Sequence, residues 1–404
     1  MPPRTAKPAN AGRRRRATGG LVPDEPELVP QPVDVIIQAD GDGLGTPSVD
    51  GSVIEIPHED GSVTIDLDPR PPPRAGGDKF GDNLAEIIDI HELRGISNFL
   101  LDGIDEDEQD SSEWRQQRAD GMDLLAVKVE RPSQGVVVSS PSSSPGQSTV
   151  RDPIMLEAVT RFQANAYGEL CPSEGPCKGV NWGPETADGD KLAEDFEKDF
   201  NYYLTSIATE YQPDTRKMLW WTGYASGMFK KVYRCPLRRR PVSESVDGSD
   251  LILPSNITDL QNSGRVTHRI NMRRSTLRRM QIIGAYRDID LTQPNQDPTV
   301  LQEKTGAIVG ISAKPDRPED QEYTIYECYC ELDIKGFEHK EKGEPEPSGL
   351  PLPYRVVIDK DSREILEVRR NWEEDDEDLK AKIPFVAFSY ITGIGIYGLG
   401  LLHY

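Results

Sequence analysis

Between Lys230 and Arg287 the sequence sets thirteen lysines and arginines against four acids, Glu244, Asp247, Asp250 and Asp259, in a chain of formal net charge −22. The last stretch, Gly264 to Arg287, holds seven arginines and no acid. Crowded like charges repel. Such an island usually faces something negative: a neighbouring subunit's acids, a partner protein or a nucleic acid backbone. The plain alternative is a solvated helix face. Overall acidity argues against a general nucleic-acid coat, which would be basic throughout, so any contact with DNA is local or deliberately weak.

The island sits in 404 residues, enough for two or three ordinary domains. Only 36% of them are hydrophobic, with 33 prolines and 35 glycines, which predicts folded units joined to disordered stretches. Residues 21 to 80 carry thirteen acids against three bases. Within them, Asp50-Gly-Ser-Val-Ile-Glu-Ile and Asp60-Gly-Ser-Val-Thr-Ile-Asp-Leu predict short strands with Asp-Gly turns inside a mostly flexible arm, residues 1–81. The basic start, Arg4, Lys7 and Arg13 to Arg16, has no apolar segment behind it and is not a signal peptide. Cys171, Cys177, Cys235, Cys328 and Cys330 match no zinc or disulfide spacing, and a reducing compartment is the simpler reading.

Apolar spacing predicts helices over much of residues 82–300. Leu84, Ile87, Ile88, Leu93, Ile96 and Leu100 make one stripe, followed by the acidic run Asp105-Glu-Asp-Glu108. A second helix over Glu113 to Leu125 turns Trp114, Leu124 and Leu125 inward, and Ser139 to Thr149 reads as a linker. Met155, Ala158, Val159, Phe162, Ala166 and Leu170 share a face, as do Leu192, Phe196, Phe200, Tyr203, Leu204 and Ile207. Asp214 is placed to cap a helix running through Trp220 and Trp221, where Gly223 and Gly227 admit a close neighbouring backbone. Thr276 to Tyr286 is a shorter helix that buries Leu277, Met280 and Ile283.

From about residue 300 the period changes to two. Tyr326, Cys328, Cys330, Leu332 and Ile334 alternate with Glu327, Glu331 and Asp333, predicting a strand with one buried face and both cysteines in the core. Pro353 to Ile358 and Glu364 to Val368 read as a hairpin joined through Asp359 to Arg363. Ile383 to Tyr404 carries no formal charge and is long enough to span a bilayer, yet Pro384 and four glycines favour a buried strand with a glycine-rich turn. The fold class expected is α+β.

No active site stands out. Gly393-Ile-Gly395-Ile-Tyr-Gly398 has the glycine spacing of a dinucleotide turn, which needs a following helix and an acid about twenty residues on. Glu373 to Asp378 reads as a solvated acid run, since consecutive carboxylates cannot all converge on one ion. His268 lies between Arg265 and Arg269, which disfavour its imidazolium. No phosphate-binding P-loop occurs. The chain is therefore read as a non-enzyme with no cofactor and no metal. Nucleotide-dependent enzyme and acidic adaptor or scaffold stand as the alternatives.

A series of phrases resembles the portal (head-to-tail connector) proteins of short-tailed bacteriophages and related prophages. It begins with Pro153-Ile-Met-Leu-Glu-Ala-Val-Thr-Arg-Phe-Gln-Ala-Asn-Ala, Glu169-Leu-Cys-Pro172 and Gly175-Pro-Cys-Lys178. It continues in order through Asn201-Tyr-Tyr-Leu204, Met218-Leu-Trp220, Phe229-Lys-Lys-Val-Tyr233, Arg265-Val-Thr-His268, Leu277-Arg-Arg-Met280 and Gly284-Ala-Tyr-Arg287. Tyr326-Glu-Cys328, Leu352-Pro-Tyr354, Arg369-Arg-Asn-Trp372, Pro384-Phe385 and Ile396-Tyr-Gly-Leu-Gly400 complete it. The order, over about residues 83–404, carries the resemblance more than any one phrase.

The resemblance implies a ring at one capsid vertex, usually of twelve subunits, through which double-stranded DNA passes without sequence specificity during packaging and ejection. Terminase large subunit, tail adaptor and capsid proteins are the implied partners, with residence in the virion and, during assembly, the host cytoplasm, and no membrane. It also implies a helical wing-like region over 82–300 and a β-containing segment over 301–404, with the chain ending before the family's long channel helices. A bore lined with cations would hold phosphates by counterion release and stall their passage. Arg265, Arg269, Arg273, Arg274, Arg278 and Arg279 are therefore expected at subunit contacts rather than along the bore, DNA-proximal being the alternative.

Overall fold

The computed structural model describes residues 54–57, 63–66, 79–125, 152–184, 186–340 and 346–404. The expected Ser139–Thr149 linker and most of the N-terminal arm lie outside these residues. The chain divides into two units, Met1–Pro72 and Pro73–Tyr404. In the first, β1 (Ile54–Pro57) and β2 (Val63–Asp66) pair antiparallel with Ile54 opposite Asp66. These are the strands that the two Asp-Gly-Ser-Val phrases predict.

The second unit is α+β, as expected. It opens with α1 (Ile90–Asp110), capped by the Asp89 carboxylate on the His91 amide, and α2 (Ser112–Gly121). Then come α3 (Ile154–Leu170), α4 (Ala187–Tyr202) with a π-helical turn Tyr203–Ile207, and α5 (Tyr211–Ala225). Strands follow at once: β3 (Met228–Cys235), β4 (Arg240–Asp247), β5 (Leu251–Ile252) and β6 (Arg265–Met272). Two short helices, α6 (Arg274–Ile282) and α7 (Val300–Val309), precede β7 (Tyr323–Leu332), β8 (Leu352–Asp359), β9 (Ile365–Arg370) and β10 (Phe385–Phe388). The change from helix to strand thus falls at Met228, not near residue 300. The sequence hides β3, β4 and β6 because each is rich in charged or polar residues.

Two antiparallel sheets form, one in the order β10-β3-β4 and one in the order β5-β6-β7-β8-β9. One face of the five-stranded sheet meets α1: Leu93, Leu100, Leu101 and Ile104 pack on Tyr326, Cys328, Tyr354, Val356 and Val368 in the main core. The other face is shared. Tyr329 and Val266 meet Phe229, Val246 and Phe385 of the smaller sheet, while Tyr323, Ile325 and Val357 meet Leu277 of α6. Being covered on both sides, β7 is buried along nearly its whole length. The one-faced strand expected from alternation is therefore corrected, and Glu327 is an interior residue at 7% exposure. The far side of the smaller sheet meets α5, where Met228 packs on Met218 and Leu219.

Several local expectations shift for identifiable reasons. The acidic run Asp105–Glu108 follows the apolar stripe, as expected, and continues α1. Glu210, not Asp214, occupies the cap position of α5, because the Asp214 carboxylate is held by Lys230 at 2.5 Å and by the amide and hydroxyl of Ser245. At Gly223 the close neighbour is a ring rather than a backbone: a Cβ there would lie 2.6 Å from Phe162 of α3. Leu125 is buried, whereas Leu124 and Ile283 are exposed. The apolar segment Ile383–Tyr404 folds onto its own chain. Phe385 is buried, Tyr397 stacks on Trp114 with centroids 4.1 Å apart, and Leu402 occupies the space a Cβ at Gly121 would need. No helix among the described residues is long and apolar enough to cross a membrane.

Gly248, between β4 and β5, tests this packing. A Cβ there would sit 2.5 Å from the Gly227 carbonyl oxygen and 2.8 Å from the Trp114 ring. Backbone cannot yield cheaply. Gly248→Ala is expected to lower stability by about 1–3 kcal/mol in urea unfolding, and a neutral result would contradict the close approach.

Candidate functional site

Lys230 and Lys231 are consecutive in β3, so their side chains leave opposite faces of the smaller sheet. Both are buried, at 6% and 4% exposure. Lys230 reaches back to Asp214 of α5, with Thr215 Oγ1 at 3.2 Å. Lys231 crosses to the larger sheet and pairs with Glu327. The other Glu327 oxygen accepts from the Tyr329 hydroxyl at 2.7 Å, and His268 Nδ1 lies 3.4 Å from the Lys231 ammonium. On the neighbouring strands Arg355 Nη1 is 3.8 Å from Glu327 and its Nη2 donates to Glu367 at 2.6 Å, while Arg369 also pairs with Glu367. Regular pairing of β8 with β9, Arg355 opposite Arg369 and Val357 opposite Glu367, puts Glu367 on the same face as Arg355. Charges alternate across the sheet interface, and each has a partner.

The electrostatics follow from burial and these neighbours. Burial raises the Glu327 carboxyl, but Lys231, His268 and Arg355 outweigh it and hold it well below the usual carboxylate range. Burial lowers His268 from the ordinary 6.5 to about 4; Lys231 and Arg269 act the same way and Glu327 opposes them. The imidazole is therefore neutral at neutral pH, chiefly through burial; of the two arginines expected to disfavour its charge, only Arg269 contributes, and least. This is a structural lock with no nucleophile poised beside a base.

The structure divides the six arginines singled out by the sequence. Arg265 donates to Asp107 through Nε at 2.9 Å and Nη2 at 2.7 Å, and to the Gly103 carbonyl at 2.9 Å. Gly103 makes room for it, since a Cβ there would fall on the guanidinium. Arg269 pairs with Glu108 at 2.9 Å and with Asp250 at 3.2 Å, and reaches the Ser249 carbonyl at 2.6 Å. These two strap β6 to the acidic last turns of α1, where carboxylates oppose the helix dipole and need cations beside them. Asp107 is raised by its own burial, against the pull of Arg265. The remaining four are exposed on and beside α6. Arg273 pairs with Glu322 at 3.3 Å and Arg278 with Asp288, while Arg274 and Arg279 make no ion pair among the described residues. A groove of about 1120 Å³ runs between Arg273, Arg274 and Arg278 and the acidic side of Asp316, Glu319 and Asp320.

The other sequence candidates are placed as follows. Cys328 and Cys330 lie in the core against α1, as expected, and burial pushes the Cys328 thiol up to about 12. Gly393, Gly395 and Gly398 all take positive φ in a turn whose ends, Ile391 and Leu399, pair antiparallel; only a three-residue 3-10 turn follows. Glu373–Asp378 forms turns, and among the described residues no cluster of acids, histidines or cysteines could hold a metal ion. The sequence reading missed Lys231, Glu327, Arg355 and Glu367. Its available signal was a Lys-Lys pair inside an otherwise apolar Phe229 to Val232 stretch.

No protein-family model matches the chain, and no curated protein matches it.

Two measurements test the lock. Lys231→Met leaves Glu327 buried without its cation and should cost about 3–5 kcal/mol in urea unfolding. Adding Glu327→Gln should recover most of that loss; equal loss in the double variant would contradict the pairing. Because His268 binds its proton near 6.5 when unfolded and near 4 when folded, its contribution is complete above 6.5 and declines as pH falls to 4, by about 3 kcal/mol at most. Glu327 acts in the same direction at lower pH. The unfolding midpoint should fall over this window, and His268→Gln should flatten the decline.

Proposed function

We propose that the chain is a portal-like subunit, working in a ring that surrounds double-stranded DNA. The observation carrying this reading is the ordered series of portal-like phrases from Pro153 to Gly400. Two properties of the chain support it physically. The chain's net charge of −22 repels a passing polyanion, as a low-friction wall requires. A monomer also seldom leaves a large apolar patch in water, yet Trp182 is 95%, Leu192 72% and Phe196 61% exposed. These faces call for partners. Terminase and tail components would dock on the assembled ring, and no catalytic step is assigned to the chain.

Purified full-length protein, imaged by negative stain and sized by sedimentation, should form closed rings with a central opening wide enough for duplex DNA. Monodisperse small particles at all accessible concentrations would overturn the reading.

A further inference from the structure

We infer that the basic face of α6 and the acidic aromatic face of α4 are the two halves of one head-to-tail contact between copies of this chain. The inference rests on the ring-subunit reading above. It adds which surfaces meet.

On α4, Leu192, Phe196 and Phe200 stand four residues apart in one row, at 72%, 61% and 38% exposure. Phe196 and Phe200 stack with centroids 5.5 Å apart. This is the row that helical periodicity predicts as buried, and among the described residues it stands exposed. One flank of this row is already used: Glu197 accepts from the Gly179 amide at 2.9 Å, and a Cβ at Gly179 would strike the Ala193 carbonyl. Helix geometry places Asp188, Asp195 and Asp199, all exposed, along one edge of the aromatic row. The face is thus apolar with an anionic border.

On α6 the exposed row is Arg274, Arg278 and Ile282, with Arg279 and Ile283 beside it. Ile282 is 71% exposed and Ile283 47%. Leu277 and Gln281 occupy the buried side. The helix begins with Arg273 at its cap and Arg274 next, with no acid in its first turn and no side-chain cap. Cations at a helix N-terminus oppose its dipole, so this end gains most from an incoming carboxylate. Isoleucines next to the arginines suit an apolar acidic helix better than a phosphate backbone, which offers no apolar surface. An aromatic row with an aspartate edge, on the same chain, is that complement in both charge and apolarity. Two different patches meeting head to tail generate a ring when the rotation closes.

Charge reversal in trans tests the contact with the full-length chain. One variant carries Arg274→Glu and Arg278→Glu; the other carries Asp195→Lys and Asp199→Lys. All four side chains are exposed, so circular dichroism should be unchanged. Alone, each variant presents like charges at its own contact, and its association midpoint should move about tenfold or more to higher concentration by mass photometry. Mixed, each supplies the charge that the other lacks, and oligomers containing both should return. Wild-type rings with unaffected single variants, or single-variant losses that mixing does not repair, would overturn the contact while leaving the ring reading intact. An unaffected ring in which the α6 variant loses only DNA retention would assign α6 to nucleic acid and also overturn it. A wild-type chain that never oligomerises would remove both.

Discussion

The unit Pro73–Tyr404 depends on a salt bridge placed where a hydrophobic contact would ordinarily go. Lys231 and Glu327 join the two sheets through their shared interior, flanked by Phe229, Phe385 and Tyr329. Burying either charge alone costs several kcal/mol, and the pair recovers this only with complete partners. The structure supplies them: the Tyr329 hydroxyl donates to the other oxygen of Glu327, Arg355 adds a second cation 3.8 Å away, and Glu367 with Arg369 continues the row. Such an interface is specific rather than strong. The sheets cannot slide against each other without unpairing a charge, so register is fixed by electrostatics where greasy packing would tolerate a slip.

The same logic operates outside the sheets. The acidic end of α1 and the arginines of β6 are each unfavourable alone, one opposing the helix dipole and the other crowding like charges. Together they bind the helix that closes the main core. Arg118 repeats the device between α2 and the end of β4, donating to both oxygens of Asp247 between the rings of Trp114 and Trp221. The basic island is thus largely answered from within: Lys230, Lys231, Arg265 and Arg269 all meet the chain's own carboxylates. What remains outward is Arg234, Arg238 and Arg239 at the β3–β4 turn and the run along α6, where Arg274 and Arg279 make no ion pair among the described residues.

The legible parts of the sequence were those in which apolar periodicity and burial coincide. The stripe from Leu93 to Leu100, the Tyr326–Leu332 core face and the β8–β9 hairpin all follow from spacing. The failures share one cause. Polarity in a sequence implies solvent, which puts Glu327 on an outer face and hides β3, β4 and β6. A single sequence cannot show that a lysine in one strand will meet a glutamate 96 residues later. The converse holds in α4, where a well-formed apolar row predicts burial and Leu192, Phe196 and Phe200 are exposed among the described residues. Of the six site arginines, spacing identified the island but not its division, because pairing partners such as Asp107 lie 158 residues away.

The arginine run divides between the fold, inward at β6, and, in the proposed ring, the contact between copies, outward at α6. Electron cryomicroscopy of the assembled full-length protein tests this most directly, at a resolution that shows side chains. It should show Arg265 and Arg269 still held by α1 of the same chain, with Arg274 and Arg278 within ion-pair distance of α4 aspartates in the adjacent copy. Arg265 or Arg269 reaching across to a neighbour, or an α6 surface facing open solvent in the closed assembly, would contradict it.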